Sequence, residues 1–405
     1  MKTIYKVLSV AILAASLFGC SSQISQQPNS GGSVANTVTS AGDGFYVPTD
    51  TGVYEVQTVF PGSANLFYTD TNTKERIFLC ADPNCSHNNE NCTSYLPTPS
   101  AMFPPMLLRV GNQLLVFFTE ATDSSNPYAM TMDLDGSHRQ KIFELAANQT
   151  PQGGFYTNGK DLYFDIAEVS PNGDSSYQLW HADVQKGTAE KQMDLGSNEN
   201  HYTLCGSVGE QLCFSQVTGE GIAHSMYSIG EKEIQKPFFV DQSTSGNSLV
   251  SNGFLFVLDE NAANVTRIDL ATNEKVTAPF TVKESYGTPT MRYLFDGSVL
   301  ITETQNESQN GSYDTCAYVL DIDGSKCTEM TLRTPYNNRP VFVLSTVGDL
   351  CYVATDYKTY TPASTSEEGV VSEFDYVANV YAFLTKEDYV NSNSGGYQMV
   401  SDEFQ

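Results

Sequence analysis

Cys80, Cys85, His87 and Cys92 fall within a single 13-residue stretch, Cys-Ala-Asp-Pro-Asn-Cys-Ser-His-Asn-Asn-Glu-Asn-Cys. Three thiolates and one imidazole form a complete tetrahedral donor set, the composition of a closed structural zinc site. The spacing C-x4-C-x-H-x4-C is not that of a common finger or ribbon, so the types of residue argue for metal more strongly than their spacing does. In an exported protein two of these cysteines could instead form a disulfide and leave the third spare, or all three could stay reduced. Parity separates these readings. Of nine cysteines, Cys20 has a separate role described below, which leaves eight, enough for disulfides throughout. If three bind metal, then Cys205, Cys213, Cys316, Cys327 and Cys351 remain, and at least one of them is unpaired. Cys205 and Cys213 stand symmetrically about Gly209 and could face each other across a hairpin. Apart from Lys326 beside Cys327, no basic residue adjoins these five in sequence, so they read as small core residues rather than activated thiols.

Other chemistry is weaker. Asp133-x-Asp135-Gly136 and Asp321-x-Asp323-Gly324 resemble fragments of a calcium loop. They lack the further acids such a loop needs and read as tight turns. His138, His181, His201 and His224 are scattered with no serine or acid at triad-like spacing. The 47 acidic residues are too many to single out an acid/base pair. Aromatic and basic side chains in connecting loops are better candidates for holding a sugar or peptide by stacking and hydrogen bonding. These are His201, Tyr202, Tyr286, Tyr336 and Arg339.

The elements that must position these residues repeat along the chain. A glycine turn followed by an apolar strand recurs at Gly111, Gly159, Gly209, Gly253, Gly297 and Gly348, with spacings of 48, 50, 44, 44 and 51 residues. An alternating strand ending in Asp and a tight turn follows most of them, as in Met132-Asp133 and Leu320-Asp321. No stretch keeps a helical period, and four short strands per 40–50 residues is the size of a β-propeller blade. The expected fold is therefore an all-β propeller of seven four-stranded blades, with six or eight as alternatives. Residues 397–400 are expected to close the ring beside the first blade. Long connections at residues 81–105, 168–176, 305–312 and 357–374 gather on one rim, which is expected to be the binding face.

Before the first repeat lies an address. Lys2 and Lys6 precede an apolar run that ends at Gly19-Cys20. That run is too short to span a bilayer comfortably and reads as a lipoprotein signal over residues 1–19. Cys20 would be the lipidated residue, residues 20–43 a polar tether, and residues 44–405 one propeller domain. The expected location is extracytoplasmic, held at the membrane by lipid alone. A formal net charge of -26 argues against nucleic acid as a partner. The chain resembles a group of uncharacterised surface lipoproteins of Gram-positive bacteria that carry C-x-x-P-x-C-x-H after the first blade, matched here by Cys80, Pro83, Cys85 and His87. The resemblance implies a propeller and an anchor, and implies no substrate. With no compact catalytic motif, the expected role is a binding or interaction propeller for a glycan, peptide or envelope protein. The alternative is a polysaccharide hydrolase or lyase with acids in the central channel.

Overall fold

The computed structural model describes residues 37–402 apart from 61–62, 99–104, 123–124, 243–246, 282, 284–286, 305–314, 361–362, 366–370 and 374–375. Cys20 and Tyr286 lie outside the described residues. Among the described residues the chain forms seven consecutive antiparallel meanders of four strands. Their first strands are Tyr46–Pro48, Met106–Val110, Gln149–Thr157, Asn200–Val208, Ser248–Ser251, Thr290–Tyr293 and Val343–Val347. The repeat glycines make the first turn of each meander after the first. Gly111 and Gly209, at φ 60° and 57°, take a left-handed conformation that costs other residues energy. Second strands such as Gln113–Phe118 are buried at nearly every position, which is why they read as continuous apolar runs rather than alternating ones.

A four-stranded meander has two faces to cover, and each is covered by the next meander. Leu66 packs with Leu114 between the first and second, Phe117 with Phe164 between the second and third, and Tyr163 with Phe214 between the third and fourth. Cys213 packs with Leu255, Phe256 with Ile301, and Val319 with Val353 across the next three interfaces. Val53 of the first meander then packs with Tyr352 and Phe383 of the seventh, so the succession of cores returns to its start.

The chain ends meet this succession in two ways. Gln398–Met399 pairs with the seventh meander, and Ser401–Asp402 then runs parallel to Glu75–Arg76 of the first. The closing strand therefore sits a few residues later than residues 397–400. Arg76 fixes the junction: it is buried, bonds Glu55 and Gln57, and reaches Asp402 at 3.0 Å. At the other end, residues 38–44, assigned from sequence largely to the tether, pack against three meanders. Val38 donates to Gly209, Thr39–Ser40 pairs with Tyr156–Thr157, and Gly44 bridges Leu107.

Two expected long loops are shorter than the sequence implied. Residues 168–176 form a hairpin whose strands extend to Val169 and from Ser175. Residues 357–374 include Ala363–Thr365 paired with Val371–Glu373. At residues 168–176 polar residues continue the strand ends, where pairing satisfies the backbone without requiring apolar side chains.

Candidate metal centre and central cavity

The cysteine–histidine loop is an excursion from one strand edge. Glu75–Phe78 and Tyr95–Pro97 both pair with Ser63–Asp70, so residues 79–94 bulge out of an interrupted outer strand. The connection expected at residues 81–105 thus contains a strand of its own. The neck is tied by Thr93 Oγ1 donating to the Leu79 carbonyl at 2.7 Å and by Leu66 N donating to the Ser94 carbonyl at 2.8 Å. Arg139, from the second meander, donates to the carbonyls of Tyr95 and Thr93.

Within the loop, the ligand atoms of Cys80, Cys85, His87 and Cys92 all lie within 4.8 Å of one another. His87 Nδ1 is 3.3 Å from Cys92 Sγ. The imidazole stacks on Phe78, with centroids 4.1 Å apart and planes 11° apart, which fixes its orientation. Asn65, fully buried on the adjacent strand, donates to the His87 carbonyl and to Ser94 Oγ, each at 2.9 Å. Backbone N–H groups point at sulfur: His87 N at Cys85 and Ser94 N at Cys92, at 3.3 and 3.4 Å. Such donors stabilise thiolates. Burial opposes ionisation of Cys92, but hydrogen bonds from Ser94 and His87 outweigh it and bring the thiol down to about 6. At Cys85 the His87 N–H favours the thiolate, but burial and the neighbouring Cys92 and Cys80 prevail and push the thiol up to about 11. Three crowded sulfurs cannot all carry charge unaided, and a cation among them removes that conflict. The donor set and its supporting hydrogen bonds therefore fit a tetrahedral metal.

The other sequence-nominated residues do not join this site. His201 stacks on Tyr177 at 3.6 Å and bonds the Asn198 carbonyl, and Tyr202 is half-buried on the same strand. Tyr336 is exposed beside Tyr357, and Arg339 lies in the turn closed by Thr334. Asp133-x-Asp135-Gly136 is a turn in which Asp135 accepts from Ser137 N, and Asp321 likewise accepts from Gly324 N.

A cavity of about 1090 Å³ opens where the first turns of the meanders converge, and none of His201, Tyr202, Tyr336 or Arg339 lines it. Its wall includes residues 37–40, Tyr156, Phe254 and two ion pairs. Arg267 holds Asp323 through two bonds of 2.7 Å, and Lys386 reaches Asp296 at 2.8 Å. Sequence reading missed these pairs because the two partners of each come from different repeats and only the packing of neighbouring meanders unites them. It also missed the neighbours of three cysteines. Lys283 Nζ lies 3.2 Å from Cys316, and His224 stands beside Cys205 and Cys213, whose sulfurs face each other at 3.9 Å as the turn symmetry suggested.

No family model and no curated protein matches the chain. Among solved structures it is similar to a puromycin-hydrolyzing peptidase of Mycobacterium tuberculosis, at 11% identity and TM-score 0.52, over 91% of this chain and 53% of that one. It is also similar to a prolyl endopeptidase, at 13% identity and TM-score 0.49, over 87% and 55% of the two chains. An oligogalacturonate lyase from Vibrio parahaemolyticus aligns at 12% identity and TM-score 0.42, over 88% and 93%. The chain spans about half the length of the two peptidases. The likeness to the puromycin-hydrolyzing peptidase supports a β-propeller-like all-β fold.

Proposed function

We propose that the chain is a seven-bladed propeller lipoprotein, anchored through Cys20 outside the cytoplasmic membrane, that binds a glycan or peptide in its central cavity. The observation that carries the binding reading is the pairing of charges at the cavity wall. Arg267 with Asp323 and Lys386 with Asp296 offer matched donors and acceptors to a polar ligand, and each carboxylate has a cation beside it. General acid/base work asks for the opposite, two acids pushed apart in proton affinity. Phe254, under Arg267 at 4.8 Å, adds an apolar surface for stacking. In this reading Cys80, Cys85, His87 and Cys92 hold a structural zinc that rigidifies the rim loop and takes no part in chemistry.

Titrating purified protein with cell-wall oligosaccharides and peptides, with product analysis of the same mixtures, tests the first part. Arg267→Met is expected to weaken binding at least tenfold with no product formed, and cleavage of any ligand would overturn the binding reading. Metal content tests the second part. One zinc per chain, absent in Cys92→Ser, is expected, whereas disulfide-linked Cys80, Cys85 or Cys92 would reject the zinc.

A further inference from the structure

The fourth meander carries a second set of soft donors, inside the molecule. Strand Asn200–Val208 pairs with Gln211–Thr218, but the register slips between Leu204 and Gly206, so Cys205 is an extra, bulged residue. The bulge turns its sulfur toward Cys213, 3.9 Å away. On the third strand, Met226 lies directly opposite Cys213, and His224 directly opposite Ser215. Residues two apart share a face of a strand, so Cys213, His224 and Met226 all face the fifth meander. The donor atoms of Cys205, Cys213 and His224 lie within 4.8 Å of one another. His224 and Cys213 are buried, and Cys213, Cys205 and Met226 share one apolar cluster with Val250.

His224 Nε2 is satisfied by Ser248 Oγ at 2.9 Å, while Nδ1 is buried without a hydrogen-bond partner. A ring nitrogen left in that state is costly unless something fills its lone pair.

We infer that Cys205, Cys213 and His224 form a second metal site, three-coordinate and selective for a soft monovalent ion, Cu(I). Zinc in a closed site takes four donors, and among the described residues this cluster supplies three. Thiolates and thioethers select Cu(I), and Met226, paired with Cys213, packs in the same cluster as the two thiols. Binding displaces the protons of the thiols that ligate, and copper keeps its oxidation state throughout.

The test uses the triple variant Cys80→Ser, Cys85→Ser, Cys92→Ser, which removes the rim thiols, reduced and handled without oxygen. Cu(I) is supplied from a bathocuproine complex, and retained copper is measured against that chelator. One Cu(I) per chain is expected, with retention falling at least 100-fold when either Cys205→Ser or Cys213→Ser is added. Retention unchanged by both substitutions, no retention at all, or uptake of Zn(II) in preference to Cu(I) would each overturn the inference. If circular dichroism shows the triple variant unfolded, the same titration compares the parent with Cys205→Ser. Loss of one Cu(I) equivalent then supports the site, and an equal count rejects it.

Discussion

The rim loop and the inner cluster use the same donor chemistry but are assembled differently. At the rim, all four donors come from one 13-residue segment, and the sheet serves mainly as a platform through Phe78 and Asn65. In the fourth meander, three donors come from three strands, and only a bulge and two hairpin registers bring them together. A site made by local sequence can be lost without disturbing the fold. A site made by register depends on the pairing and packing of the blade.

The seam between the first and seventh meanders sets the scale for both. Arg76→Met leaves Glu55 buried without its cation, a change expected to remove about 3–5 kcal/mol of stability. Urea melts would show it, and Glu55→Gln in the same chain should restore part of the loss. If Cys92→Ser destabilised the protein as much, the rim would be a global clasp and the comparison would fail.

Gly206→Ala should separate the two clusters. A Cβ there would meet Val250 Cγ1 at 2.2 Å, closing the space beside the bulge. About 1–3 kcal/mol of stability should go with it, together with copper retention, while zinc content stays the same. Loss of zinc as well would mean the clusters are coupled through the sheets.

Asn65→Ala is the mirror experiment. It withdraws the donor from the His87 carbonyl and from Ser94, at a cost of about 1–2 kcal/mol. The rim thiols should react faster with a thiol reagent, while copper retention by Cys205 and Cys213 is unaffected.

An effect seen only as pH changes concerns Asp165, which accepts from Leu204 N at the edge of the bulge and is buried. Burial pushes its carboxyl up from 3.8 to about 7. The folded state therefore keeps a proton that the unfolded state has lost, and Asp165 erodes stability as pH rises through that interval, fully so above about 7. Asp165→Asn removes the titration. Its Tm should gain on the parent's by a few degrees, on the order of 2 °C per kcal/mol, between pH 5 and pH 8. A constant gap would show that the carboxyl does not titrate there.

Legibility in the sequence follows the same division between local and assembled features. The glycine turns announced the repeat because a left-handed turn residue is specified locally, and the meanders begin where Gly111, Gly209 and Gly253 predict. The rim donors were legible for the same reason. The facing of Cys205 and Cys213 could be read from symmetry about Gly209, but His224 needed the next hairpin as well. Its turn at Gly219–Glu220 places Ser215 opposite His224, a register that polar strand ends do not advertise. The cavity pairs were least legible, since Arg267 and Asp323 are 56 residues apart and meet only when consecutive meanders pack.

The segment at residues 38–44 also makes the two ends of the chain mechanically unequal. Tension applied from upstream along Thr39–Ser40 meets backbone hydrogen bonds to Gly209, Phe155 and Leu107, spread over three meanders and strained together. Tension applied from beyond Asp402 meets first the two-residue parallel pairing with Glu75–Arg76, then the two-residue pairing at Gln398–Met399. Those contacts open in succession, so the molecule should withstand pulling from its amino-terminal side and unzip from the other.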